Sequence, residues 1–279
     1  MDGILLVNKP MEMTSHDVVA FLRRTLQTKK IGHTGTLDPN ATGLLVCMIG
    51  KATKILPYLE RQEKEYQARM KFGVKTDTGD IWGNVIAENK VPELEKEKVV
   101  SVLNSFLGKQ LQLPPMVSAI KVRGKPLYEY AREGKEVQRK EREIEITKMK
   151  LDSFTDDALS FTVSCSAGTY IRTLCEEIGV SFDTVATMSA LERIRCGNFH
   201  LTQAHTLVEI QEGNYSLLSI EEALSHMTRI EYPDLFTLEN GKAVDIEKID
   251  DTILMMYEGK AIAVYEWKIN RYYCKRGLW

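Results

Sequence analysis

The sequence predicts an α/β protein, because segments with the two-residue period of β-strands alternate with amphipathic segments of helical period. Its 279 residues are enough for one large domain with a small appendage, or for two domains of similar size. Hydrophobic residues make up 43% and charged residues 27%, which is typical of a globular protein rather than a disordered one. No run reaches the roughly 18 apolar residues that a transmembrane helix needs.

The first quarter of the chain predicts two strands and two helices around one loop. GILLVNKP predicts a strand that ends at Pro10, and no basic segment precedes it as in a signal peptide, so we expect a cytoplasmic protein. SHDVVAFLRRTLQTKK predicts a helix capped by Thr14 or Ser15. IGHTGTLDPNATG is rich in glycine and threonine and predicts a loop. GLLVCMIG and KATKILPYLE then predict a buried strand and a short helix.

From residue 64 onward, strand patterns alternate with helical patterns. Strands are predicted in KEYQARMKFGV, in the two halves of IEITKMKLDSFTDDALSFTVSC, and in LERIRCGNF. Helices are predicted in EKEKVVSVLNSFLG, PLYEYAREG, TYIRTLCEEIGV, AHTLVEIQEG and SIEEALSHM. From Tyr232 onward, LENGKAV, TILMMYEGKAIAVYEW and INRYYCKRGLW predict short strands with glycine turns, which indicates a small β-rich appendage.

Composition narrows the classes of ligand. The five cysteines and five histidines lack the spacing of disulfide frameworks or zinc sites, so we expect neither. The net charge of −2 hides an uneven distribution, since 1–75 and 118–150 are basic and 206–260 is acidic. The basic segments are suited to nucleic acid, and solvated faces of ordinary helices and strands explain the same counts equally well.

The loop GHTGTLDPNATGLL contains the most informative candidate residue, Asp38. The proline that follows biases Asp38 away from the helical conformation, and the neighbouring glycines let the backbone approach a ligand closely. By pattern alone, an Asp-Pro pair in such a loop is more often a turn former than a catalytic residue.

Five blocks of sequence together resemble the tRNA pseudouridine-55 synthase family, the TruB class of pseudouridine synthases, which modifies the T loop of tRNA. The blocks are VNKPMEMTSHDVV, GHTGTLDPNATGLL, KEYQARMKFGVKTDTGD, PPMVSAIKVRGKPLYEYAREG and CSAGTYIRTLCEEIG, in the family's order and spacing. The resemblance implies a mixed, mainly antiparallel sheet of the pseudouridine synthase fold with flanking helices. It also implies a catalytic domain over residues 1–230. The segments LENGKAV and YEGKAIAVYE resemble a short PUA domain, a small RNA-binding β-barrel found in this family and others, which we place over residues 231–279.

The resemblance implies that Asp38 is the catalytic carboxylate, acting on a uridine flipped out of the RNA. Arg172 matches the family arginine that pairs with this aspartate and keeps it charged. Tyr66 matches the tyrosine whose ring stacks on the extruded uracil and whose hydroxyl serves late proton transfer. By pattern alone, Arg172 would be an exposed residue of a helix's first turn and Tyr66 an ordinary strand aromatic.

Six further residues are candidates for binding the substrate RNA. His33 matches the histidine that enters the RNA, and Leu191 matches the apolar residue beneath the base. Lys9 and Asp80 align with motif positions around the pocket or the RNA. Lys121 and Tyr128 belong to a basic stretch with aromatic residues, suited to phosphate contacts and stacking. The ordinary structural alternatives are that Leu191 is a core leucine, that His33 is a loop histidine bonded to the backbone, and that the basic residues are solvated.

The family's reaction breaks the N1 glycosidic bond of uridine and joins C5 to the ribose without change of oxidation state, so we expect no cofactor and no metal. Three routes use the carboxylate: attack at uracil C6, attack at ribose C1′, or proton abstraction to a glycal. A non-catalytic RNA-binding protein is disfavoured by the joint presence of Asp38, Tyr66 and Arg172. A nucleotide-dependent hydrolase is disfavoured because no phosphate-binding glycine motif occurs. We expect a monomer that binds the T arm of tRNA, with no membrane or protein partner.

Overall fold

A computed structural model of the chain describes residues 1–59 and 62–279. The first strands are β1 (Gly3–Lys9), β2 (Ile31–His33), β3 (Thr42–Ile49), β4 (Lys64–Phe72), β5 (Val74–Thr76) and β6 (Val85–Glu88). The next are β7 (Gly108–Gln112), β8 (Lys121–Val122), β9 (Lys125–Pro126), β10 (Arg142–Phe154), β11 (Ala158–Cys165) and β12 (Ala186–Cys196). The last are β13 (Phe199–His200), β14 (Thr228–Glu231), β15 (Thr252–Tyr257), β16 (Lys260–Lys268) and β17 (Arg271–Gly277).

The α-helices are α1 (Ser15–Thr25), α2 (Leu56–Leu59), α3 (Lys96–Ser105), α4 (Leu127–Arg132), α5 (Ile171–Val180), α6 (Leu207–Glu212), α7 (Ile220–Ala223) and α8 (Leu235–Glu239). In the described parts of the chain, 3-10 helices span Gly50–Ile55 and Leu201–Gln203. The helix predicted in KATKILPYLE corresponds to the 3-10 helix Gly50–Ile55 followed by α2. The last residue of that prediction, Glu60, lies outside the described residues. No helix within the described ranges is long and apolar enough to cross a membrane.

The chain forms two compact units. The first unit comprises Met1–Pro39, Gly43–Arg61 and Phe199–Trp279, and the second comprises Asn40–Thr42 and Gln62–Asn198. The predicted boundary between residues 230 and 231 stays a prediction.

In the first unit, β3 pairs antiparallel with β1 and with β2. Helix α1 begins as predicted, because Thr14 and Asp17 form a capping box that satisfies the free N–H groups of the first turn. Its buried residues Val18 and Leu22 pack in one core cluster with Leu5 of β1. The prediction that residues 31–43 form one loop was wrong at its ends, since Ile31–His33 and Thr42 onward pair as strands and only 34–41 form the loop.

The C-terminal part of the first unit is a four-stranded sheet in the order β14-β15-β16-β17. Strand β14 runs parallel to β15 and the other pairs are antiparallel. Among the described residues these strands form an open sheet, so the predicted closed barrel is not found there. The predicted strand at LENGKAV was wrong in its first residues, because the Asp234 side chain accepts from the Thr237 N–H and caps the helix α8.

In the second unit, strands pair antiparallel in the order β12-β4-β11-β10-β7. The alternation in β4 decides which side chains face inward: Lys64, Tyr66, Ala68, Met70 and Phe72 are buried. Helix α5 packs against β12 at Gly179, where an added Cβ would lie 2.7 Å from the Cβ of Ala186. Only glycine permits this approach. Helices with mainly antiparallel sheets confirm the predicted α/β class.

Candidate active site

The loop with Asp38 is fixed on both sides of the aspartate. Ser15 lies at the first position of α1 and is 1% exposed. Its hydroxyl accepts from the Leu37 N–H at 2.8 Å and lies 3.2 Å from the Leu37 carbonyl, to which it donates. On the other side, the carbonyl of Pro39 accepts from the Lys9 ammonium at 3.0 Å. The backbone therefore presents the half-buried Asp38 side chain from a restrained position.

Lys9 is a fully buried lysine at the end of β1. Besides the Pro39 carbonyl, its ammonium donates to the carbonyls of Pro10 at 2.8 Å and Met13 at 2.6 Å. A buried ammonium requires such acceptors, because a charge without partners in the interior costs several kcal/mol. The three bonds join the turn after β1 to the Asp38 loop, which indicates a positioning role. Contact of Lys9 with RNA stays a prediction.

His33 is the last residue of β2 and is partly exposed. Its Nδ1 accepts from the Gly35 N–H at 3.3 Å, so the loop backbone orients the ring. The ring of His16, on α1, lies edge-on to it with centroids 6.4 Å apart and an interplanar angle of 86°. The histidine that the resemblance selects therefore lies at the end of a strand, is bonded to the backbone of the following loop and has a second imidazole beside it.

Tyr66 lies on β4 and is 7% exposed. Its cross-strand neighbours are Val163 on β11 and Arg193 on β12. Burial raises the pKa of Tyr66 to about 12, and the positive charge of Arg193 offsets part of that rise. The phenol is therefore neutral in neutral solution. Leu191, 9% exposed, lies two residues before Arg193 on β12 and shares the face of the sheet with Tyr66.

Arg172 lies in the first turn of α5 and is only 4% exposed, contrary to what its sequence position alone suggests. Its guanidinium donates to the carbonyl of Thr78 at 2.7 Å and to that of Val117 at 2.7 Å. These carbonyls come from two separate segments, the turn after β5 and the proline-rich stretch before β8. Arg172 therefore joins three parts of the second unit.

Asp80 lies in the turn to which Arg172 donates. Its carboxylate accepts from the Thr78 hydroxyl at 2.9 Å and the Trp82 N–H at 3.3 Å, and its carbonyl accepts from the Thr76 hydroxyl at 2.6 Å. These bonds shape the turn and hold the Thr78 carbonyl near Arg172. The structure thus brings Asp80 and Arg172 to one place in the second unit.

Lys121 and Tyr128 lie in the stretch with strands β8 and β9 and helix α4. Lys121 is exposed and lines a groove of about 280 Å³ together with Arg139, Lys140 and Arg142. The guanidinium of Arg132 lies 5.4 Å from the centre of the Tyr128 ring. Four cationic side chains line the groove, so this part of the second unit is suited to binding phosphate groups.

The sequence pattern does not identify two residues of these arrangements. It predicts Ser15 only as a helix cap, whereas the Ser15 hydroxyl also holds the Leu37 backbone. It gives no signal for Arg193, which is 1% exposed and lies directly opposite Tyr66. Within the described residues, no group of three or more histidine, cysteine, aspartate or glutamate side chains is arranged to hold a metal ion.

Two family models match consecutive parts of the chain. The model described as TruB family pseudouridylate synthase (N terminal domain) matches residues 23–171. The model described as tRNA pseudouridylate synthase B C-terminal domain matches residues 172–229.

Curated relatives named tRNA pseudouridine synthase B are similar over most of the chain. The protein of Clostridium tetani is 42% identical over 257 residues, which is 91% of this chain and 89% of the relative. That of Symbiobacterium thermophilum is 46% identical and spans 82% of this chain and 78% of the relative. That of Heliobacterium mobile is 40% identical and spans 99% of this chain and 94% of the relative.

Solved structures show the same fold at lower identity. A crystal structure of a Cbf5-Nop10-Gar1 complex contains a chain with a TM-score of 0.75 and 23% identity, covering 99% of this chain and 85% of that one. The structure of an H/ACA RNP bound to a substrate RNA containing 2′-deoxyuridine contains a chain with a TM-score of 0.74 and 22% identity. The match covers 99% of this chain and 85% of that one. At this identity the likeness concerns the fold alone.

Proposed function

The chain belongs to the TruB family of pseudouridylate synthases, and we propose that it isomerises the T-loop uridine at position 55 of tRNA to pseudouridine. It is a pseudouridine synthase, an isomerase that acts on RNA. In this reaction the bond from N1 to the ribose breaks, the bond from C5 to the ribose forms, C5 loses a proton and N1 gains one. The flipped-out base must be held while it turns.

The proposed catalytic carboxylate is Asp38, and the observation that carries this assignment is the restraint of its loop. Ser15 holds the backbone of Leu37, the residue before the aspartate, and Lys9 holds that of Pro39, the residue after it. Catalytic groups act best when they are already in place before the substrate binds. A plain turn-forming Asp-Pro needs neither a buried serine nor a buried lysine.

The proposed partners in catalysis are Tyr66 and Arg172, and Leu191 is the proposed support beneath the base. The shared sheet face of Tyr66 and Leu191 supports a role in holding a planar base, since both side chains are buried and one is aromatic. The two backbone bonds of Arg172 support a role in which a guanidinium is held in a fixed orientation.

RNA binding is proposed for His33 and for the basic groove of the second unit, with Lys121 in its lining and Tyr128 next to the lining residue Leu127. The groove lined by four cations supports contacts to phosphates, and these fix the position of an RNA without reading its sequence. Asp80 is proposed to act through the turn that it shapes.

We propose in addition that residues 1–230 form the catalytic domain and that residues 231–279 form a short PUA-like module. The protein is proposed to act as a cytoplasmic monomer on the T arm, without a cofactor. The redox-neutral balance of the isomerisation supports the last point, because no electron acceptor or donor is needed.

The assignment is tested by Asp38→Asn. This variant should lose isomerisation while its affinity for unmodified tRNA stays within about tenfold, because only the charged oxygen is removed and about 1.4 kcal/mol corresponds to each decade of binding. Turnover is measured as pseudouridine formed in tRNA and in an isolated T-arm stem-loop, and affinity by filter binding.

The matched control is Asp156→Asn, which makes the same chemical change at an exposed turn between β10 and β11. It should keep normal turnover. Appreciable turnover by Asp38→Asn would refute the catalytic assignment, and a parent protein that binds tRNA without forming pseudouridine would refute the proposed function.

A further inference from the structure

Arg193 is an arginine in the interior of the second unit. It lies on β12 with 1% of its surface exposed and is the largest fully buried side chain among the described residues. A guanidinium keeps its charge at every physiological pH, so burying it without acceptors would cost several kcal/mol. The fold must therefore supply acceptors at this position.

One acceptor is the hydroxyl of Tyr66. Arg193 and Tyr66 are directly paired across the antiparallel strands β12 and β4, and such pairs point to the same face of a sheet. At this position the positive charge of Arg193 and a hydrogen bond from it act to lower the pKa of Tyr66, against the larger rise caused by burial. A guanidinium has five N–H donors and no acceptor, so the phenol oxygen must accept and its own O–H must point elsewhere. Arg193 thereby fixes the direction of the hydroxyl.

We propose that Arg193 is a positioning residue for the isomerisation, holding the Tyr66 phenol in the single orientation in which it meets the flipped base. This inference rests on the proposed function. Leu191 precedes Arg193 by two residues on the same strand, so one stretch of β12 supplies both an apolar side chain and the cation that orients the aromatic ring. A tyrosine held by packing alone would keep the rotational freedom of its hydroxyl.

The test is a double-mutant cycle with Arg193→Lys and Tyr66→Phe on a T-arm stem-loop. Lysine keeps the charge but loses the planar set of donors, so kcat should fall about tenfold or more while KM stays within about threefold. In the Tyr66→Phe background the same change should have almost no further effect, because the acceptor is already absent.

Arg195→Lys is the matched control, since Arg195 lies two residues further along β12 and bonds to Glu63 and Glu65 on the other side of a register shift. It should leave kcat unchanged. Normal kcat in Arg193→Lys would overturn the proposal, and so would an equal loss with and without the Tyr66 hydroxyl, because Arg193 would then act independently of Tyr66.

Folding is followed by thermal melting, with Arg193→Gln as a second variant that retains a donor without the charge. If neither variant folds while Tyr66→Phe is stable, Arg193 serves the fold and the proposal is overturned. A parent protein without activity on RNA would instead refute the proposed function, which separates the two failures.

Discussion

Replacing Lys9 with methionine isolates the effect of one buried ammonium on the Asp38 loop. Methionine has a similar length and volume, so it keeps the apolar stem of the side chain and removes only the charged group. The parent ammonium donates to three backbone carbonyls, at 2.8 Å for Pro10, 2.6 Å for Met13 and 3.0 Å for Pro39. The variant therefore leaves three carbonyls without this donor.

The magnitude follows from two opposing contributions. Each hydrogen bond from a charged donor contributes about 1.5–3 kcal/mol, which would give roughly 5–9 kcal/mol for three. Removing a buried charge also removes its desolvation cost of several kcal/mol. Pro10 and Pro39 are exposed residues, so their backbone can turn the carbonyls toward water once the ammonium is removed. The free energy of unfolding should therefore fall by about 2–4 kcal/mol.

Turnover should fall as well, by about tenfold or more at a temperature where the variant is folded, because Pro39 is released and a small displacement of a reacting group is costly. Urea unfolding and steady-state pseudouridine formation measure the two effects, with the exposed Lys51→Met as control. Parent-like stability together with parent-like kcat would refute the reasoning. Lost stability with normal kcat would show that the three bonds serve only the fold.

Three further predictions concern other charged groups and the C-terminus. Arg172→Lys should be severely impaired, because an ammonium cannot span the Thr78 and Val117 carbonyls as the guanidinium does; near-normal turnover would contradict this. Burial raises the pKa of Glu65, but hydrogen bonds from Lys148 and Arg195 outweigh it and hold the pKa below its ordinary value. The resulting stability is present at neutral pH and lost as pH falls through the folded-state pKa, so Glu65→Gln should be destabilised at neutral pH and equal to the parent in acid. An equal loss of stability at neutral pH and in acid would disprove this pH dependence. Deleting the chain after Glu231 should weaken binding to full-length tRNA more than to the stem-loop and flatten its salt dependence; a folded truncation that loses turnover on saturating stem-loop would contradict the domain division.

The elements that could be predicted from sequence are those with a strong period. Strand β4 alternates over KEYQARMKF, and α1 combines a capping box with an apolar stripe, so both lie where the pattern places them. Short elements depend on contacts that a local pattern does not contain. Strand β2 has three residues and exists because β3 offers it a pairing edge. In LENGKAV, the cap at Asp234 precedes the segment and decides its helical start.

The buried arginines show why the site was harder to predict than the fold. Arg172 is at a position that is usually exposed, and it becomes buried through carbonyls from segments more than 50 residues away in the chain. In LERIRCG, Leu191 and Arg193 lie on one face of the strand and Ile194 lies on the other, and arginine is seldom buried, so the alternation alone does not decide which face points inward. The pairing of β12 with β4 has a register shift between Arg193 and Arg195, which changes the parity at that point. The sequence does not reveal a bulge of this kind.

The second unit buries two guanidiniums, at Arg172 and Arg193, at 4% and 1% exposure. A buried charge is weak support for a fold, because apolar side chains of similar volume are often as stable or more so in its place. Each guanidinium is held in a fixed orientation, one by backbone carbonyls and one beside a tyrosine hydroxyl. Fixed orientation is useful to a reaction in which a base is turned and bonded again. If the roles proposed for both arginines are right, their variants should lose turnover by a larger factor than they lose folded protein, and equal losses would show that both serve the fold.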